Sequence, residues 1–101
     1  MSLISGVQLP VDRIADLCRR YGVQELAIFG SAARGDMQPG SDIDILVEFQ
    51  SSARVGLVKF ASLSEELESL LGRRVDLVTK RGLKPRVRPH VLREARLVYA
   101  A

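Results

Sequence analysis

The hydrophobic positions of this chain follow a helical period in two long segments. Apolar side chains recur at spacings of three and four residues over 10–21 and again over 56–71, which predicts two amphipathic helices. Gly22 and Gly72 follow these segments at the usual place of a helix C-terminal cap. Each predicted helix therefore has one apolar face that needs a core to cover it.

Shorter apolar runs between the helices predict strands. The run 25–29 is almost continuously apolar, as expected of a strand that is buried on both faces. The run 41–49 places its β-branched residues on one face and its acidic residues on the other. A third strand is predicted over 74–79, where one aspartate interrupts an apolar segment.

The remaining segments complete the predicted fold. A last helix is predicted from 89 to about 95, after which 97–99 either finish this helix or add a short edge strand. The resulting order is helix, strand, helical turn, strand, helix, strand and helix. It predicts an α/β (α+β) fold, a small mixed sheet flanked by helices. A length of 101 residues predicts one domain, 1–101. The connections are predicted as a helical turn and two loops, at 31–34, 36–40 and 50–54.

Composition excludes several classes of protein. With 47% hydrophobic and 27% charged residues, the chain matches an ordinary soluble globular protein. It has no apolar run of roughly eighteen residues and no secretory pattern at its start, so we expect no membrane span and a cytoplasmic location. Cys18, the single cysteine, falls on the apolar face of the first helix and is predicted to be buried.

Basic residues are concentrated near the C-terminal end, although the net charge is only +3. Glu94 is the only acidic residue after Asp76. Such a segment can face a nucleotide, RNA or an acidic protein surface, or it can be a solvated surface, and the sequence leaves these readings open. The basic residues are Lys80, Arg81, Lys84, Arg86, Arg88, Arg93 and Arg96.

Three aspartates interrupt the predicted strands and suggest a metal site. Asp42 and Asp44 are two residues apart in one strand, so their side chains leave the same face. Carboxylate pairs of this kind suit hard divalent ions such as Mg²⁺. Asp76, on a strand that could pair with the first, would share a metal or act as general base. Taken alone, Asp76 could instead be satisfied by a neighbour such as Arg74.

A glycine–serine pair precedes these carboxylates at a fixed distance, with ten residues between Ser31 and Asp42. Gly30 would let the backbone approach a triphosphate, and Ser31 would hydrogen-bond a β- or γ-phosphate. Arg34 would add positive charge that suits phosphate geometry. Each feature alone is compatible with a turn or a solvated side chain. Their combination with the paired acids predicts a metal–nucleotide site.

Other chemistries have weaker support. His90 has no cysteine or histidine at a ligand spacing, so a zinc site is not predicted. Ser41 lacks a nearby histidine base and is predicted to orient the turn before Asp42. The few aromatic residues are too scattered for a base-stacking platform, so no direct nucleic-acid binding is expected.

Three segments carry a family resemblance: FGSAARG at 29–35, SDIDILV at 41–47 and VDLV at 75–78. They resemble the motifs of the polymerase-β-like nucleotidyltransferase superfamily, and the resemblance covers roughly residues 10–99. The chain's size and overall pattern are similar to the minimal nucleotidyltransferase (MNT-domain) antitoxins of HEPN–MNT toxin–antitoxin modules.

The resemblance implies a palm-like nucleotidyltransferase fold and Mg²⁺-dependent transfer of AMP from ATP. In the antitoxin branch the acceptor is a tyrosine hydroxyl of a cognate HEPN ribonuclease toxin, so a hetero-oligomer is expected. Gly30 and Ser31 match the nucleotide-binding pair, and Arg34 follows them as in the family. Asp42 and Asp44 match the metal ligands and Asp76 the third acid.

Two alternative functions stay open at the level of sequence. The enzyme could transfer the nucleotide to a small molecule such as an aminoglycoside. The chain could also be a non-catalytic antitoxin that neutralises its toxin by contact, through the basic segment.

Overall fold

Ten elements form the fold in the computed structural model, which describes residues 2–4 and 6–101. In chain order they are strands β1 (Ser2–Ile4) and β2 (Val7–Leu9), helix α1 (Val11–Tyr21), strand β3 (Val23–Phe29), helix α2 (Gly30–Arg34), strand β4 (Ile43–Phe49), helix α3 (Leu57–Leu71), strand β5 (Val75–Thr79), helix α4 (Arg88–Glu94) and strand β6 (Arg96–Ala100).

The main sheet has four strands in the order β5–β4–β3–β6. Strand β3 pairs antiparallel with both β4 and β6, whereas β4 and β5 are parallel. Helix α3 makes the crossover between these two parallel strands, as such a connection requires. The predicted mixed sheet with flanking helices is therefore confirmed.

The larger core lies between one face of this sheet and the helices α1 and α3. Alternation along β4 sends Ile43, Ile45 and Val47 into this core, where each is at most 2% exposed. Leu63 and Leu67, one helical turn apart on α3, are fully buried against them. This packing fixes the position of β4 and therefore the position of the polar side chains on its other face.

A smaller apolar cluster covers part of the opposite face, which also carries the acidic residues of β4. Helix α4 places Val91 against Ala27 of β3 and Leu46 of β4. The cluster is small, so the ends of the strands on this face are left to polar side chains.

Several element boundaries differ from the predictions. The second strand begins at Ile43 instead of residue 41, so Asp42 lies just before the strand. The first main-sheet strand begins at Val23 instead of 25, and the last helix spans Arg88–Glu94 instead of 89–95. Gly22 and Gly72 adopt the left-handed conformation and cap α1 and α3, as predicted.

The predicted order of seven elements is incomplete because three strands are missing from it. Residues 97–99 belong to β6, an edge strand whose conformation is decided by pairing with β3. The helix before it ends because Ala95 has an extended ψ of 139°. Strands β1 and β2 form a separate two-stranded antiparallel sheet with three residues in each strand, too few for a clear period.

Candidate active site

Gly30 stands where β3 ends and α2 begins, directly beside Asp44. Phe29, the last residue of β3, pairs in register with Asp44 of β4. Gly30 has a φ of +65°, and a Cβ atom at this position would collide with Oδ2 of Asp44. The sequence suggested that a glycine is needed here for the approach of a triphosphate. The structure adds a second reason, which is the space taken by the carboxylate.

Asp44 and Asp76 face each other across the parallel pair β4–β5, because they are direct partners in its register. Their side chains leave the same face of the sheet, next to the cluster around Val91. Burial raises the pKa of the Asp44 carboxyl above its ordinary value. The charges of Asp76 and Asp42 raise this pKa further, whereas Arg34 lowers it. The predicted carboxylates therefore act on one another electrostatically.

Asp42 completes the acidic group but points partly to solvent. Its side chain is 48% exposed, and its Oδ1 lies 3.5 Å from Nε of Arg74. The backbone explains this neighbour, since the N–H of Ile43 donates to the carbonyl of Arg74 at 2.9 Å. Arg74 was considered above as a partner of Asp76, and it contacts Asp42 instead.

The three aspartates, which interrupt otherwise apolar strands in the sequence, are not fully buried in the fold. Asp42 and Asp76 are exposed and Asp44 is half-buried, because β5 is an edge strand and Asp42 precedes β4. Within 2–4 and 6–101, no three acidic, histidine or cysteine side chains are already close enough together to hold a metal ion. The exposed Asp42 and Asp76 side chains have room to rotate, and their oxygen atoms suit Mg²⁺.

Helix α2 carries the predicted phosphate-binding residues. Ala32 and Ala33 are buried in the larger core and anchor this short helix. The carbonyl of Ser31 accepts hydrogen bonds from the N–H groups of Gly35 and Asp36, at 3.0 and 3.1 Å, which closes the turn. These contacts hold Ser31 in the first turn of α2, close to Asp44.

Arg34 is held by two carboxylates, one of which the sequence reasoning missed. Its Nη1 lies 2.9 Å from Oε1 of Glu94 on α4, and its Nε lies 3.4 Å from Oδ2 of Asp36. Glu94 is only 14% exposed and also lies 3.3 Å from Nε2 of His90. The only acid in a basic segment was a signal that could have drawn attention to Glu94.

The turn before the carboxylates is fixed by polar contacts. Ser41 Oγ accepts a hydrogen bond from the N–H of Gln38 at 3.2 Å, so it orients this turn as predicted. Arg73, which the sequence reasoning did not single out, donates from Nη1 to the carbonyl of Ser41 at 3.2 Å. Together these contacts position the residue that precedes Asp42.

Part of the basic segment is used inside the fold. Lys80 Nζ lies 3.3 Å from a carboxylate oxygen of Glu25 and 3.6 Å from one of Glu48. Arg88 donates from Nη1 to the carbonyl of Lys80 at 2.6 Å. Glu48, Lys80 and Arg88 line a cavity of about 660 Å³ at the carboxyl ends of β4 and β5, whereas Asp44 and Asp76 lie near the start of these strands.

Cys18 is fully buried in the larger core, as predicted. Burial raises the pKa of its thiol to about 12, so it is not a nucleophile at neutral pH. No helix in the described part of the chain is long and apolar enough to cross a membrane.

The strand–Gly–Ser turn, the paired acids and the mixed sheet together define a nucleotidyltransferase. The chain belongs to the nucleotidyltransferase domain family, whose sequence model matches residues 12–98. The resemblance stated from the motifs is therefore confirmed.

Individual relatives are more specific. Over 79 residues, the chain is 49% identical to the protein adenylyltransferase MntA of Thermococcus cleftensis, an alignment that covers 78% of each protein. A solved structure provisionally assigned as a minimal nucleotidyltransferase is 45% identical, with a TM-score of 0.73, and the match covers 85% of this chain and 86% of that chain. A toxin–antitoxin crystal structure with AMP-PNP is 26% identical, with a TM-score of 0.75, covering 92% of this chain and 75% of that chain.

Proposed function

We propose that this protein is a Mg²⁺-dependent protein adenylyltransferase that acts as the antitoxin of a HEPN ribonuclease toxin. The observation that carries the proposal is the contact between the Gly30 turn and Asp44, which lies in register with Asp76. It brings the backbone that is proposed to bind phosphate next to a pair of acidic side chains. The protein adenylyltransferase MntA and the toxin–antitoxin structure with AMP-PNP support the same reading.

Asp42, Asp44 and Asp76 are the residues that would hold Mg²⁺. When bound, Mg²⁺ would neutralise charge on the phosphates of ATP and lower the pKa of an attacking hydroxyl. The raised pKa of Asp44 is consistent with this donor set, because the carboxylates repel one another and lack a cation that would balance them. Asp42 would have to exchange its contact with Arg74 for this role.

The other residues bind and orient the triphosphate. Gly30 keeps the space beside the carboxylates free, and Ser31 would donate its hydroxyl to a phosphate oxygen. Arg34 would place positive charge near the β- and γ-phosphates, where charge builds up as pyrophosphate leaves. In the transfer, the acceptor oxygen bonds to the α-phosphorus and the bond from this phosphorus to the pyrophosphate oxygen breaks. The hydroxyl proton goes to a base, for which Asp76 is the candidate.

The proposed acceptor is a tyrosine of the cognate HEPN toxin, and the proposed location is the cytoplasm. The carboxylates lie on a partly exposed edge of the sheet, which a folded protein can reach. A complex with the toxin would then both deliver the hydroxyl and shield the reaction from water.

The experiment follows the label from ATP. ATP labelled on its α-phosphate is incubated with Mg²⁺, this protein and a lysate of its host, and proteins are separated under denaturing conditions. We expect a labelled protein band that is absent with Asp42→Asn and absent when the label is on the γ-phosphate. A labelled small molecule without a labelled protein would favour the aminoglycoside-type reaction. Neutralisation of the toxin by Asp42→Asn would favour a non-catalytic antitoxin.

A further inference from the structure

Arg34 and Glu94 form an ion pair that joins helix α2, next to the carboxylates, to helix α4. We propose that Glu94 is a positioning residue, which holds Arg34 in the orientation that receives a phosphate of ATP. The inference rests on the proposed function, because it takes Mg²⁺-ATP as the ligand.

Glu94 is suited to this role because its own position is fixed. Val91, one helical turn earlier on α4, is buried against Ala27 and Leu46, and Ala95 packs against the same cluster. The Glu94 side chain is only 14% exposed, and its second oxygen, Oε2, lies 3.3 Å from Nε2 of His90. A carboxylate anchored in this way loses little further freedom when it holds a partner.

The guanidinium of Arg34 is oriented by contacts on one side. Nη1 lies 2.9 Å from Glu94, and Nε lies 3.4 Å from Asp36. Nη2 takes part in neither of these contacts with the described residues, and we assign this nitrogen of the planar guanidinium to the anion. The charge of Arg34 already acts on Asp44, which places it within electrostatic reach of the acidic group.

The direction in which Kd changes when the Glu94 charge is removed distinguishes a positioning role from a purely electrostatic effect. Removing a negative charge near an anion site should by itself tighten the binding of ATP. Loss of a positioning contact should weaken binding, because a free arginine has to be ordered when the nucleotide binds. A fall in affinity after removal of the Glu94 charge therefore cannot arise from charge repulsion.

Calorimetric titration of the protein with Mg²⁺ and the ATP analogue AMP-PNP, in the absence of any acceptor, tests the proposal. We expect Glu94→Gln to raise Kd about three- to tenfold, which corresponds to the net contribution of one typical hydrogen bond. Glu94→Asp keeps the charge and should recover part of this loss. In an Arg34→Ala protein, Glu94→Gln should change Kd less than about twofold, because the residue that it positions is gone.

Glu48→Gln is the matched control, since it removes a carboxylate from the Lys80 ion pairs on the same sheet face. It should leave Kd unchanged. Equal or tighter binding by Glu94→Gln, or a loss that is the same with and without Arg34, would overturn the proposal. If Glu94→Gln does not fold, Glu94→Asp decides through the same cycle, and its weakening must depend on Arg34.

A different result of the same titration would contradict the proposed function. Wild-type protein that does not bind Mg²⁺ and AMP-PNP would overturn the proposed function and this inference together. Normal wild-type binding with an ineffective Glu94→Gln would overturn only the role of Glu94.

Discussion

Gly30 lies so close to the carboxylate of Asp44 that even one methyl group at residue 30 would collide with Oδ2 of Asp44. The contact joins the end of β3 to the start of β4 and sets the geometry of the candidate active site.

Gly30→Ala is expected to reduce both stability and nucleotide binding. Alanine at a φ of +65° costs roughly 1–2 kcal/mol, and the Asp44 carboxylate also has to move away from the new methyl group. Gly40→Ala is the matched control, because Gly40 has a φ of +83° and a methyl group there would have no atom of the described residues within 4 Å. Urea denaturation of both variants measures the difference. Equal losses in the free energy of unfolding would contradict the proposed contact.

Asp44→Asn is expected to stabilise the metal-free protein at neutral pH. The pKa of Asp44 is raised from 3.8 in the fold, so the folded state holds a proton that the unfolded state releases as pH rises above this value. Stability therefore falls as pH rises from 3.8 through the folded pKa, and the penalty is complete above it. We expect the Tm of Asp44→Asn in EDTA to exceed that of wild type at about pH 7, by a few degrees at most, because solvent screens this half-buried carboxyl.

The gain from Asp44→Asn should disappear as the pH approaches 3.8, where the wild-type carboxyl is protonated as well. Asp16→Asn, which breaks an exposed ion pair with Arg19, serves as the control and should give no gain. A pH-independent difference between Asp44→Asn and wild type would show that the charge is not its cause.

The three aspartates should separate in their effects on binding and transfer. Asp42→Asn and Asp44→Asn should weaken the Mg²⁺-dependent binding of AMP-PNP, because each removes a proposed metal ligand. Asp76 would share the metal and is also the candidate general base, so Asp76→Asn should weaken binding of the analogue less than Asp44→Asn does and should lower the transfer rate about 10²–10⁴-fold. Loss of binding equal to that of Asp44→Asn would assign Asp76 to the metal instead.

Cys18 should not react with thiol reagents in the folded protein. Its side chain is fully buried, and burial raises the pKa of the thiol to about 12. A chromogenic disulfide reagent should label it only after denaturant is added, at a rate that follows unfolding. Rapid stoichiometric labelling of native protein would contradict the packing of α1.

The main elements of the fold could be predicted because their hydrophobic pattern repeats over many residues or because a glycine marks where they end. Helix α3 has fifteen residues with a regular apolar stripe, and Gly72 ends it. Strand β6 could not be decided, since five residues after a helix carry no clear alternation and their conformation depends on β3. Strands β1 and β2 were missed because three residues each are also too few to show a clear alternation.

The candidate site divides in a similar way. The types and spacing of Gly30, Ser31 and the aspartates are local in sequence and could be read directly. The contact between Arg34 and Glu94 joins residues 60 positions apart, so only the packing of α4 on the sheet brings them together. The solvent exposure of Asp76 could not be predicted either, because the sequence does not show that β5 is an edge strand.

The most direct test of the central claim is the intact mass of the proposed HEPN toxin partner. It is purified after co-expression with wild-type protein or with Asp44→Asn, and its ribonuclease activity is measured. We predict that the partner carries the mass of one or more AMP groups on tyrosine and is inactive only after co-expression with wild type. An unmodified partner that both proteins silence equally would contradict adenylylation and leave neutralisation by contact.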